Sequence, residues 1–111
     1  QFLVVYIREA HPDDGWNMRE EPRGILDPKT IEERRSLAGT CEETMKYGIQ
    51  TLVDEMDDHV MTAYAAWPER LYLVGEDGKV LYPGARGPWG FKPEELKSAI
   101  DALLAEREAA V

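Results

Sequence analysis

The chain has 111 residues, of which 43% are hydrophobic and 32% are charged, so it can form one modest two-layer core and a single domain. Thirteen Lys and Arg residues against 22 Asp and Glu residues give a formal net charge of −9. A surface this acidic repels phosphate backbones and anionic lipids, so nucleic acid and membrane surfaces are not expected partners.

The sequence contains no signal for a membrane span, a disulfide or a metal site. The longest apolar run, Phe2–Ile7, is far shorter than the roughly 20 residues that a membrane helix needs. The single cysteine, Cys41, cannot form an internal disulfide, and His11 and His59 lie too far apart for a metal-ligand motif. With no signal peptide at its start, we expect a cytoplasmic location.

The first half of the chain predicts a strand, a long loop and a helix. Phe2–Ile7 is apolar without alternation, which indicates a parallel strand covered on both faces. Residues 8–26 show no periodicity and read as a loop, which at this length in a small domain is usually functional. Asp27 predicts a helix N-cap, with Pro28 as the first helical residue and Gly48 as the stop. The predicted apolar stripe of this helix comprises Ile31, Ala38, Cys41 and Met45.

The second half predicts a strand, a short helix and a hairpin. Residues 49–53 form the expected strand, and Asp54 or Asp57 is expected to cap the helix that follows. The apolar runs Leu71–Val74 and Val80–Tyr82 flank an Asp-Gly pair, which is a strong signal for an antiparallel hairpin.

Pro93 opens the last predicted helix, so the element order is that of an α/β sandwich. A strand covered on both faces belongs inside a sheet, yet the chain enters this strand at Phe2. We therefore expect residues upstream of Gln1 to complete the domain.

The loop after the first strand concentrates side chains that can carry chemistry. Its residues are Glu9-Ala10-His11-Pro12-Asp13-Asp14-Gly15-Trp16, and in open α/β sheets the loops after the strands form the ligand crevice. Glu9 could orient or charge His11, which could then act as a general acid or base or bond a substrate hydroxyl. The alternative is a structural loop in which residues 13–15 turn the chain and His11 is solvated.

Two further residues carry predictions of their own. Pro68 precedes an apolar strand, and the order proline, strand, Asp-Gly turn, strand, loop and helix resembles the second half of thioredoxin-like folds. Because that fold has a cis proline facing the redox centre, we expect the Trp67–Pro68 bond to be cis. Cys41 lies on the apolar helix stripe, so we expect a buried, slowly reacting thiol.

Several segments resemble the iodothyronine deiodinase family. Phe2–Trp16 is similar to the hallmark segment of that family, and the Glu-Ala-His-Pro-x-Asp-Gly-Trp string within it is highly specific. Tyr64–Val74 and Gly84–Trp89, followed by Lys92–Leu96, match the same family in register. The resemblance covers nearly the whole chain.

The resemblance implies a thioredoxin-like fold, a mixed sheet and reductive removal of iodide from an iodinated phenol. The family uses a selenocysteine or cysteine nucleophile and an external thiol reductant, so a small aromatic substrate and a thiol are the expected partners, with no cofactor or metal in the chain. By matching position, Glu9 and His11 become the catalytic pair, and Trp16, Pro68 and Arg86 the substrate-binding residues. A guanidinium such as that of Arg86 can pair with a carboxylate or phenolate.

The chain departs from the family pattern in two places. Pro28 stands where the family has a second histidine, and no residue matches the nucleophile, which precedes the Phe2–Ile7 strand in the family. The chain alone is therefore expected to be inactive, with the nucleophile and its strand–helix unit outside it. Two alternatives remain open: a peroxiredoxin-like thiol reductase, or a non-catalytic module that binds a small ligand.

In the thioredoxin-like order, the strand that precedes the nucleophile separates strands 2–7 and 71–74. Without it, both strands would present unpaired backbone groups along apolar edges, and such edges recruit another strand. We expect the two strands to pair with each other, with a second copy of the chain in a homodimer, or with upstream residues.

Overall fold

The computed structural model describes residues 1–10, 12, 14 and 24–109, which form two compact units, Gln1–Trp67 and Pro68–Val111. None of the helices in these ranges combines the length and apolar composition that crossing a bilayer requires.

The first unit contains a two-stranded parallel sheet. Its strands are β1, Leu3–Tyr6, and β2, Gln50–Val53, and they pair in register from Leu3 with Gln50 to Tyr6 with Val53. One face of this sheet is exposed, because Leu3 is 53% and Val5 37% exposed, so the prediction of a strand covered on both faces is wrong. The opposite face of the sheet is half-buried. Helix α1 connects the two strands and contacts β2.

Helix α1, Ile31–Met45, begins later than the Asp27-Pro28 pair predicts. Its N-cap is Thr30, whose hydroxyl accepts a hydrogen bond from the Glu33 N–H at 3.1 Å, while the Glu33 carboxylate accepts one from the Lys29 N–H at 2.7 Å. This arrangement resembles a capping box, except that the Glu33 carboxylate bonds the N–H of the residue before the N-cap.

The end of α1 and its apolar stripe also differ from the prediction. The helix closes on Lys46, which adopts the left-handed conformation at φ 50°, so Gly48 lies beyond the cap. Ala38 is buried, but Met45 is 67% exposed and Cys41 is half-buried rather than buried. The second buried residue of the helix is Arg34, which the apolar pattern did not include.

A buried polar network joins α1 to the segment after β2. Asp54, 2% exposed, accepts hydrogen bonds from the backbone N–H groups of Glu55 and Val60 at one carboxylate oxygen and of Met61 at the other, at 2.9–3.0 Å. Two of these bonds, from Val60 and Met61, hold the first turn of helix α2, His59–Tyr64, although the N-cap residue itself is Asp58 and not the predicted Asp54 or Asp57. Arg34 donates to the Asp54 and Glu55 carbonyl oxygens.

The second unit consists of a hairpin and a long helix. Strands β3, Tyr72–Val74, and β4, Val80–Pro83, are antiparallel, with a register shift between Leu73 and Val74. The predicted Asp-Gly turn is confirmed, because Gly78 holds φ at 83°, a value that favours glycine. Helix α3, Pro93–Ala109, begins at the predicted proline and contacts both strands.

The α/β class is confirmed, while the described strands form two separate two-stranded sheets rather than one mixed sheet. Strands β1 and β3 each pair inside their own unit, so direct pairing of strands 2–7 and 71–74, one of the three expected alternatives, is absent from both ladders. The cis peptide bond of the described residues is Gly87–Pro88, and the prediction of a cis Trp67–Pro68 bond is wrong.

Replacing Asp54 with alanine is expected to lower the free energy of unfolding by about 2–4 kcal/mol, because three partly buried backbone N–H donors lose their acceptor. The matched control is Asp57→Ala, which removes one exposed hydrogen bond to the His59 N–H, at a cost of less than about 1 kcal/mol. Urea unfolding of the chain measures both values, and equal costs for the two variants would contradict the central role of Asp54.

Candidate functional site

A cavity of about 250 Å³ opens in the first unit at the carboxyl end of β1. The carboxyl ends of parallel strands are where open α/β sheets bind ligands. The wall of the cavity combines the loop after β1, the segment before α1, helix α2 and the segment that follows it. The lining residues are Arg8, Glu9, Ala10, Pro12, Asp27, Met61 and Trp67.

Glu9 is held in this wall by the last residue of β1. The Tyr6 hydroxyl donates a hydrogen bond of 2.7 Å to the Glu9 carboxylate. Hydrogen bonds to a charged acceptor are shorter and stronger than neutral ones, and this one restricts a half-buried side chain. The strand therefore supplies both the loop that carries Glu9 and the phenol that orients it.

Asp27 closes another part of the wall and is tied to the loop after β1. Its backbone N–H donates to the Asp14 carboxylate at 2.7 Å, and Lys29 lies 3.5 Å from Asp14 and 3.8 Å from the Asp27 carboxylate. The hydrogen bond from the Asp27 N–H, followed by the charge of Lys29, lowers the pKa of Asp14 below its ordinary value of 3.8. The ionised Asp14 side chain thus holds the segment before α1 in place through this hydrogen bond.

Apart from Arg8, the remaining wall is apolar. Met61 and Trp67 are half-buried and bring a thioether and an indole to the cavity. Met61 lies in α2, whose first turn is fixed by Asp54, so the network described above also places this wall.

Of the five predicted site residues, the structure places one in the cavity wall. Glu9 lies in the cavity wall, whereas His11 and Trp16 lie outside the described residues. Pro68 and Arg86 belong to the second unit, where Pro68 is half-buried and Arg86 is exposed in the loop after β4.

Three lining residues escaped the sequence analysis: Arg8, Asp27 and Met61. Asp27 was interpreted as a helix cap and Met61 received no role. Only Arg8 had a usable signal, since it adjoins Glu9 at the end of the strand. In the described part of the chain, no cluster of three or more His, Cys, Asp or Glu side chains could hold a metal ion.

Lowering the pH is expected to break the hydrogen bond between the Asp27 backbone N–H and the Asp14 carboxylate. Because the folded pKa of Asp14 is lowered, the hydrogen bond is complete above the ordinary value of 3.8 and is lost as the pH falls through the lower, folded value. The ¹⁵N–¹H resonance of the Asp27 amide should report this transition. Asp14→Asn should remove this pH-dependent transition. A transition midpoint at or above pH 3.8 would contradict the proposed hydrogen bond between Asp14 and Asp27.

Comparison with known proteins assigns the chain to a known family. The sequence profile of the iodothyronine deiodinase family matches residues 1–104. Over 100 residues, the chain is 41% identical to the thyroxine 5-deiodinase of Sparus aurata and 36% identical to that of Homo sapiens, covering 90% of this chain but 37% and 32% of those proteins. The type I iodothyronine deiodinase of Xenopus laevis is 36% identical, with 38% of its length covered. The chain spans about a third of the length of these relatives, and it belongs to the iodothyronine deiodinase family.

Proposed function

We propose that the chain forms the substrate-binding part of a thioredoxin-like, thiol-dependent deiodinase that removes iodide from an iodinated phenol. The observation that carries this proposal is the cavity at the end of β1, where the Tyr6 hydroxyl holds the Glu9 carboxylate in the wall. Four of its seven lining residues, Arg8, Glu9, Ala10 and Pro12, belong to the segment Phe2–Trp16 that resembles the family's hallmark segment. A parallel strand pair joined through α1, then a hairpin and α3, supports the thioredoxin-like assignment.

In the proposed reaction, Glu9 orients and charges His11, and His11 bonds or protonates the phenolic oxygen of the substrate. The chain neighbours of His11, Ala10 and Pro12, both line the cavity, which supports this role. A protonated imidazole would also stabilise negative charge on the phenol.

The reaction balances with an external thiol as reductant. A chalcogenolate takes the iodine, the electron pair of the broken carbon–iodine bond stays on the ring carbon, and that carbon accepts a proton. One thiol then displaces iodide from the chalcogen, and a second thiol releases the chalcogenolate with formation of a disulfide. Each turnover thus converts one carbon–iodine bond and two thiols into a carbon–hydrogen bond, a disulfide, iodide and a proton.

We further propose that the nucleophile is not supplied by these 111 residues. Cys41, the one cysteine, lies on α1, where its thiol faces the Met45 sulfur at 3.6 Å, and it is not among the lining residues of the cavity. A selenolate or thiolate nucleophile must approach the substrate within the site.

Binding of 2,6-diiodophenol to the chain tests the substrate class. Glu9→Gln is expected to weaken binding about tenfold, because the loss of the carboxylate removes the charge that supports a protonated His11. Tyr6→Phe should weaken it less, since it removes only the hydrogen bond that orients Glu9. The matched control is Glu32→Gln in the exposed first turn of α1, with unchanged affinity. Isothermal titration measures all four proteins, and equal affinities would contradict the site.

Turnover by the chain tests the origin of the nucleophile. With dithiothreitol and 2,6-diiodophenol, the purified chain is expected to release no iodide above the protein-free background. Cys41→Ser should behave identically. Iodide release that is abolished by Cys41→Ser would overturn the assignment of the nucleophile to residues outside the chain.

A further inference from the structure

Met61 is the sulfur-containing member of the cavity lining. It shares the wall with Glu9 and Trp67, so the cavity offers a carboxylate, an indole and a thioether to one ligand. The Met61 side chain is half-buried and belongs to α2. Nothing in the proposed proton transfer uses this side chain.

The backbone of Met61 is fixed more firmly than a short helix alone would allow. Its N–H donates to one Asp54 carboxylate oxygen at 2.9 Å, and the Val60 N–H donates to the other at 3.0 Å. Arg34, 2% exposed, anchors the same segment through the Glu55 carbonyl oxygen at 2.8 Å and the Asp58 carboxylate at 3.0 Å. The root of the Met61 side chain therefore has a defined position beside the cavity.

The chemistry of a thioether suits one feature of an iodinated phenol. Sulfur and iodine are both large and polarisable, so their contact gains more dispersion energy than a contact of either with oxygen or a small halogen. An apolar cavity of about 150 Å³ accommodates a benzene ring. A cavity of about 250 Å³ therefore has space for one ring with two ortho iodine atoms.

We propose that Met61 is a specificity-determining residue that contacts the iodine atoms of the substrate ring, with Asp54 as the residue that positions it. This inference rests on the proposed function, because it assumes that the cavity receives an iodinated phenol. It assigns halogen recognition to the α2 wall and leaves recognition of the phenolic oxygen to the loop after β1.

The test compares 2,6-diiodophenol with 2,6-dichlorophenol, which keeps the ring, the hydroxyl and two ortho halogens. The wild-type chain should bind the diiodo compound more tightly, and the ε-methyl NMR resonance of Met61 should shift on binding. Met45, 67% exposed on α1, provides the internal control and should not shift. Met61→Leu should reduce the preference for iodine about threefold to tenfold, with little change in the affinity for the dichloro compound.

The outcomes separate this inference from the proposed function. If the wild-type chain binds neither phenol, both proposals fail. If it prefers the diiodo compound and Met61→Leu keeps that preference, or weakens both ligands equally, the proposed function stands and the role of Met61 is wrong. Met45→Leu is the matched control and should leave both affinities unchanged. Met61→Gln, near-isosteric and without sulfur, gives the same test if the leucine variant does not fold.

Discussion

The first unit depends on one buried carboxylate. Asp54 accepts three backbone hydrogen bonds while 2% exposed, and two of them come from the first turn of α2, whose N–H groups have no partners within the helix. Because α2 is a single short helix, His59–Tyr64, it cannot hold its own direction by internal bonds. The carboxylate therefore decides where the chain turns after β2.

Arg34 is the second buried charged group of this unit. Its guanidinium is almost completely buried, donates to the backbone carbonyl oxygens of Asp54 and Glu55, and pairs with the Asp58 carboxylate. A buried cation is tolerated only when such partners replace its water shell. Helix α1, which connects β1 to β2, thus carries in Arg34 a buried group that stabilises the segment directly after β2.

Two kinds of interaction, one local and one between distant segments, position the residues of the cavity wall. The Tyr6–Glu9 bond is local, since both residues come from the end of one strand and its loop. The walls made by Asp27 and Met61 come from segments distant in sequence, one held by Asp14 and the other by Asp54. A carboxylate placed by local geometry therefore shares the cavity with wall segments that only the folded chain brings near it.

Local signals in the sequence were enough for the α/β class, the order of the elements, the Asp-Gly turn and the start of α3 at Pro93. Each of these depends on neighbouring residues: β-branched runs, a glycine that accepts positive φ, or a proline suited to the first helical turn. Glu9 was also found from sequence, because it directly follows a strand. The start of α1 was misplaced because Asp27-Pro28 and Thr30–Glu33 both resemble helix starts, and only the hydrogen bonds made in the folded chain distinguish them.

What the tertiary structure alone decided was the burial of charge and the composition of the cavity. Apolar periodicity could not identify Arg34 as a core residue, because a charged side chain is buried only when distant partners, here the carbonyl oxygens after β2 and Asp58, surround it. Met61 likewise carried no sequence signal for a place in the cavity wall. It lies beside Glu9 because the Asp54 carboxylate bonds its backbone N–H. Every residue except proline has such an N–H, so the sequence does not show which one Asp54 will bond.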